Sequence, residues 1–329
     1  MVDYRPPKGI GEEKMLFIRY SALGDIVRAI PYVATIKETF PSLHITWLLT
    51  HPYEDLMKGQ PFVDDVIVWY RGLGCKGFLN IISKIRKSSF THLVSLQGTD
   101  RSAVIALLSG IENRAGRHDW ASFVYNLPRE DLQEILGRTI KIDKYRRYYK
   151  VNQKLKSLTD ALLKNLNRPR IACVIGASKK VKRWPVSNWV GFITMITSFG
   201  GSAILLGHGR NEEALAQTIE DSLQEKHNHK ILNLVSKLRL NEMAALIDGC
   251  DYVVGGDTGP MHLALALQKP AIGLFGPTLP EQVGLSDIRF KLIVDCPLKG
   301  CQKWGCNRRC LSSVRPERVF EIIKGDCVW

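Results

Sequence analysis

Nowhere does this 329-residue sequence carry the roughly 18 consecutive apolar residues that a membrane-crossing helix needs. Internal repeats and low-complexity tracts are lacking too, which excludes a fibre or a long disordered tail. The stretch from Val2 to Lys14 has no apolar core. It is polar, with Pro6, Pro7 and two glutamates, so it does not read as a secretory signal and the expectation is a cytoplasmic protein. The first strand-to-helix turn has no G-x-G-x-x-G fingerprint, which disfavours a dinucleotide.

What is present is a globular composition, 45% apolar and 24% charged, in a chain about twice the length of one domain, and this predicts two domains. Lys and Arg number 46 against 32 Asp and Glu, a net charge of +14 that suits an anionic partner. The cations are spread out, with short clusters at Lys144, Arg146, Arg147 and Lys150 and at Lys179, Lys180, Lys182 and Arg183. That distribution argues for phosphate chemistry near a membrane and against a nucleic-acid footprint.

Short β-rich runs alternate with amphipathic stretches, the pattern of open parallel α/β sheets. In the first half, strands are predicted at Met15–Tyr20, His44–Leu49, Val66–Trp69 and His92–Leu96, with helices over Ile26–Phe40 and Phe78–Arg86. Pro31 predicts a kink or a helix start. A polar helix over Val151–Leu166 reads as a bridge. The pattern then restarts with strands at Ile171–Ile175, Ala203–Leu206, Ile231–Leu234, Tyr252–Gly255 and Ala271–Phe275. Helices over Trp189–Ser198, Asn241–Asp248 and Pro260–Leu267 lie among them, and one over Pro316–Lys324 closes the chain. Two doubly wound, Rossmann-like domains are expected, at 1–168 and 169–310, followed by a helix and tail at 311–329. Ligands of such sheets bind beyond the C-terminal ends of the strands, so the turns there, and a crevice between two such domains, are the places to look.

Three turns carry chemistry. In Tyr20-Ser21-Ala22-Leu23-Gly24-Asp25, the carboxylate lies near a helix N-terminus, where the dipole favours its charged form. Asp25 is then either a general base or a helix cap. In Gly255-Gly256-Asp257-Thr258-Gly259-Pro260-Met261-His262, small residues let a ligand approach, and the amides of Gly259 to Met261 are expected to face a diphosphate. Asp257 or Thr258 could instead cap the helix, and His262 faces either ligand or core. The loop from Gly176 to Pro185, with Lys179, Lys180, Lys182 and Arg183, is either a phosphate grip or a solvated basic loop.

These residues resemble family 9 glycosyltransferases, the ADP-heptose:lipopolysaccharide heptosyltransferases. The likeness is carried by Phe17 to Asp25, by Lys182-Arg183-Trp184-Pro185, and by Gly256 to His262 running on to Leu274-Phe275-Gly276-Pro277-Thr278. A softer match is Leu93 to Gly98 with Arg101 and Ser102. The resemblance implies a GT-B fold, with the acceptor on the first domain and the nucleotide on the second. It makes Asp25 the catalytic base, with Ser21, Gly24 and Arg101 towards the acceptor. On the donor side it places Lys182 at the diphosphate, Ser178 near a phosphate, and Asp257, Thr258, Gly259 and His262 at the nucleotide. Where some members use a glutamate for the ribose, the nearest position looks like Asn233. The tail is expected to pack back towards the first domain.

Eight cysteines in a cytoplasmic protein are not a disulfide framework. Cys75, Cys173 and Cys250 sit among apolar neighbours and are expected to be buried. Cys296, Cys301, Cys306 and Cys310, spaced C-x4-C-x4-C-x3-C with Cys327 beyond, are candidates for a structural zinc or iron site or else plain reduced thiols. The expected activity is inverting, metal-independent transfer of heptose from ADP-heptose to a lipopolysaccharide inner-core precursor, at the inner membrane face and without nucleic acid. The alternatives are a protein hydroxyl as acceptor and a non-enzymatic metal- or anion-binding module.

Overall fold

In the computed structural model, the described residues are 13–116, 118–128, 143, 146–224, 230–294, 296–304, 306 and 310–326. The polar stretch before residue 13, Lys144 and Cys327 lie outside them. The chain divides into two compact units after Lys150.

The first unit contains β1 (Lys14–Ile18), α1 (Leu23–Thr39), β2 (His44–Thr50), α2 (Glu54–Met57), β3 (Asp65–Trp69), α3 (Gly74–Lys87), β4 (His92–Ser95), α4 (Asp100–Leu108), β5 (Asn113–Gly116) and β6 (Leu127–Pro128). Its six strands are parallel and ordered β3-β2-β1-β4-β5-β6. β1 reads Lys-Met-Leu-Phe-Ile with all but its first residue buried, as a central parallel strand covered on both faces requires. α1 runs through Pro31, so the proline neither starts nor ends it. Gln60 exchanges two side-chain hydrogen bonds with the backbone of Lys150, and Arg146 bridges Glu38 at 2.8 Å, so the segment ending at Lys150 belongs to this unit.

The second unit contains α5 (Gln153–Leu163), β7 (Arg170–Val174), α6 (Val186–Ser198), β8 (Ser202–Leu206), α7 (Arg210–Gln224), β9 (Ile231–Asn233), α8 (Leu240–Gly249), β10 (Tyr252–Gly256), α9 (Gly259–Ala266), β11 (Ala271–Phe275), α10 (Pro280–Val283), β12 (Phe290–Ile293) and α11 (Pro316–Asp326). Strand order is β12-β11-β10-β7-β8-β9, again all parallel. Counted from each unit's own first strand, the two sheets have one topology, 3-2-1-4-5-6, a repeat of fold that no sequence repeat announces.

Two boundaries differ from expectation. The polar helix α5 packs on α8, so it is part of the second unit and not a bridge. α11 packs on α6, and its buried Val319, Phe320 and Ile323 complete the core of the second unit. Trp184 lies in the same core, edge-on to Trp189 at 4.8 Å, and its indole N–H donates to the Val314 carbonyl at 2.8 Å. The Trp-Pro half of Lys-Arg-Trp-Pro is therefore structural, tying the loop after β7 to the chain's end.

Candidate active site

The first cluster stands at the ends of β1 and β4, neighbours in the sheet. Asp25 occupies the first turn of α1, whose capping position is Ala22, so the capping alternative falls. Its carboxylate pairs with Arg19 at 2.6 Å and stands 3.7 Å from Arg28, with 38% of the side chain exposed. Arg19 also donates to the Leu96 carbonyl at 2.7 Å, tying the turn after β1 to the end of β4. Tyr20 meets Thr99 at 2.6 Å across the same gap, and Ser21 and Gly24 are half-buried beside Asp25. Arg101 stands exposed at the start of α4.

Two residues here escape a sequence reading. Arg19 orients the carboxylate, and its signal is its place at the end of a strand, six residues before the acid. Gln97 is 92% buried just past β4, and its side-chain oxygen has no hydrogen-bond partner. This buried carboxamide oxygen is an acceptor that lacks a donor.

The second cluster stands at the ends of β7 and β10, also neighbours. Lys182, on a short 3₁₀ turn at Lys180–Lys182, pairs with Asp257 at 2.5 Å, their side chains 13% and 11% exposed. A Cβ on Gly256 would stand 2.9 Å from the Lys182 carbonyl, and one on Gly255 2.8 Å from Val174. The paired glycines thus let protein approach protein here, where room for a ligand was expected. Of the amides expected to face a phosphate, Pro260 has none, and that of Met261 is taken by the Thr258 carbonyl at 3.1 Å. Gly259 remains. Thr258 holds the capping position of α9 without a side-chain cap. His262 is buried on that helix, while Ser178, Lys179 and Lys180 are exposed.

Asn233 does not come to the strand ends as a free group. Its amide donates to Glu220 at 2.6 Å and its oxygen accepts from the Val235 amide at 3.1 Å. A carboxylate is present nearby, on a residue the sequence reading passed over. Glu212, in the first turn of α7, accepts from the His208 amide at 2.8 Å and packs against Gly176 and Gly207, which follow β7 and β8.

The four C-terminal cysteines line one cavity of about 380 Å³ together with Gly276 and Lys303. Among the described residues, no group of three or more His, Cys, Asp or Glu is placed to hold a metal ion. The expected zinc or iron site is therefore not met among the described residues, although all four thiols line the same cavity. Burial, then the neighbouring thiols of Cys306, Cys296 and Cys301, raises Cys310 above an ordinary thiol. Burial pushes Cys250 up to about 12 and Cys173 further. Cys75, expected to be buried, is exposed.

Two Rossmann-like units, each with a charged pair at the switch point of its sheet, give the α/β architecture of the GT-B fold class. The sequence model of glycosyltransferase family 9 (heptosyltransferase) matches residues 78–306, well over half the chain. The chain belongs to this family, and it is a glycosyltransferase rather than a non-enzymatic module. A lipopolysaccharide heptosyltransferase 1 from Campylobacter coli is 25% identical over 339 residues, covering 94% of this chain and 98% of the relative. Among solved structures, a family 9 glycosyltransferase from Veillonella parvula superposes with a TM-score of 0.80 at 18% identity, over 95% of this chain and 96% of its own. An E. coli heptosyltransferase with ADP gives 0.75 at 18% identity, over 95% and 100%. These two likenesses speak for the fold.

Proposed function

We propose that the chain transfers heptose from ADP-heptose to an inner-core lipopolysaccharide acceptor, with inversion at the anomeric carbon. The observation that carries this reading is Asp25: a partly exposed carboxylate at a strand end, held by Arg19 on one oxygen, with the exposed Arg28 standing 3.7 Å from the other. That oxygen takes the proton as the acceptor hydroxyl attacks the anomeric carbon. The bond from that carbon to the diphosphate oxygen breaks through an oxocarbenium-like transition state, and ADP departs with the electron pair. A single displacement inverts the centre. Gln97 and Arg101 face the acceptor in this reading, with Ser21 and Gly24 beside them.

On the donor side, Lys182 and the Gly259 amide balance charge growing on the leaving diphosphate, so no metal step is invoked. Ser178, Asp257, Thr258 and His262 complete the nucleotide turn. The ribose hydroxyls go to Glu212 in place of Asn233, because carboxylates at such strand ends accept from vicinal hydroxyls. The names of the relatives support the donor and acceptor.

A lipid-borne acceptor also implies peripheral contact with the cytoplasmic face of a membrane. Val104, Leu107 and Leu108 form an exposed stripe on α4, with Trp120 and Phe123 67% and 72% exposed beside its start. Arg86, which donates to the Leu108 carbonyl at 3.0 Å, and Arg101 on α4 itself flank it, a combination suited to anionic headgroups. No helix among the described residues is long and apolar enough to cross the bilayer. Of the other basic cluster, Arg146 is committed to Glu38.

Calorimetric titration with ADP, UDP, GDP and NAD in parallel tests the donor. Selective ADP binding that Lys182→Ala weakens is expected. Equal indifference to all four would refute the reading.

A further inference from the structure

The loop that carries the cysteines also reaches the diphosphate lysine. Its Gly300 amide donates to the Gly276 carbonyl at 2.9 Å and its Gln302 amide to the Pro277 carbonyl at 2.8 Å, so it is stitched to the turn after β11. Two residues further on, the Trp304 ring stands with its centroid 4.8 Å from the Lys182 ammonium. The charge therefore lies between the Asp257 carboxylate and an aromatic face. Trp304 remains 40% exposed, so this indole is not a core residue that happens to touch a lysine.

We propose that Trp304 is a positioning residue for the donor diphosphate: it holds the Lys182 ammonium at the strand ends when phosphate draws it from Asp257. This rests on the assignment of Lys182 above. The reason is chemical. A lysine has a flexible four-carbon stem and a strongly hydrated head, and its freedom weakens any phosphate grip. A carboxylate alone would fix the head but compete with phosphate for its N–H donors. An aromatic face attracts the charge through the ring quadrupole, without claiming a fixed hydrogen-bond direction. The donors stay available to an incoming anion. The cysteine-lined cavity then has a place in function without metal, since it forms the inner wall of the loop that presents Trp304.

The test is calorimetric titration of the full chain with ADP, inorganic pyrophosphate and adenosine, for wild type, Trp304→Ala, Trp304→Phe, Lys182→Ala and the Trp304→Ala/Lys182→Ala double variant. Trp304→Ala is expected to weaken ADP and pyrophosphate about tenfold and leave adenosine within about twofold, while Trp304→Phe recovers most of the loss. In the Lys182→Ala background, removing the indole should cost nothing further. Unchanged ADP affinity in Trp304→Ala overturns the proposal. So does a parallel loss of adenosine, which would mark a collapsed loop, and so does full additivity in the double variant. A wild type that binds no ADP, or a Lys182→Ala chain that binds as tightly as wild type, overturns the assignment of Lys182 and the role of Trp304 with it.

Discussion

The two sheets share one topology, and in each a cation from the turn after the first strand reaches the end of the fourth: Arg19 to Leu96, and Lys182 to Asp257. What differs is the acid. Asp257 is 11% exposed beside its lysine, whereas Asp25, between Arg19 and Arg28, is 38% exposed and within reach of solvent. In the proposed function, burial makes the same pairing a fixed binding element in one unit, while exposure makes it an accessible reactive group in the other. The same contrast runs through the amides and glycines. The space at the paired glycines of the second unit is taken by the Lys182 carbonyl at Gly256 and by Val174 and Met261 at Gly255, while Gln97 of the first unit leaves a buried oxygen unclaimed.

The sharpest way to break this comparison is to neutralise each acid. Asp25→Asn is expected to lower transfer at least about 100-fold, read in a coupled ADP-release assay, since general base catalysis is worth that much. Asp257→Asn leaves a largely buried lysine without its partner. It should cost on the order of 2 kcal/mol in the unfolding of the second unit, measured by denaturant titration, and weaken ADP binding. If Asp257→Asn behaves like Asp25→Asn, with stability and ADP affinity kept, the contrast in burial does not sort the two roles. Smaller is the effect of Arg19→Lys, which keeps the charge and loses the two-pronged reach to Asp25 and Leu96. About a tenfold drop in turnover with unchanged ADP affinity is expected.

The smallest effect lies outside both sites and asks whether the units respond separately. Burial of Asp64 would raise its pKa, but the Lys37 ammonium, the Ile45 amide and the Lys37 charge outweigh it and hold the carboxyl below its usual range. Such a group stabilises the folded state above the usual carboxylate range, and the gain is lost as pH falls through the lowered folded value. Asp64→Asn should therefore destabilise the first unit at neutral pH, and the difference from wild type should vanish once the pH has fallen below the lowered folded value. A difference that persists at low pH would assign the loss to packing instead.

Much of the fold was legible because central parallel strands are short, apolar and bounded by turns. Ala271–Phe275 matches its predicted range, and β2, β10 and α11 differ only by a residue or two. β5 was not legible: Asn-Arg-Ala-Gly has no alternation, and β4 and β6 on its two sides make it a strand. The site divides likewise. Asp25, Lys182 and Asp257 follow strands in turns that a reader inspects first. Glu212 stands in the first turn of a polar helix whose sequence reads as solvated surface, and only the packing against Gly176 and Gly207 brings it to the strand ends. Asn233 lies within a predicted strand and ends the observed one, but which neighbours claim its amide is set by the fold. The cysteines show the reverse limit: their spacing brings four thiols to one cavity, but it does not set the geometry that a metal ion needs.

The central claim is that the exposed acid does chemistry while the buried pair binds the donor. The most direct test measures ADP affinity by calorimetry and heptose transfer by mass spectrometry on the same preparations of Asp25→Asn and Lys182→Ala. The account predicts a crossed result: Asp25→Asn binds ADP as wild type does and does not transfer, and Lys182→Ala loses ADP affinity. An Asp25→Asn chain that fails to bind ADP, or that still transfers at the wild-type rate, would contradict it.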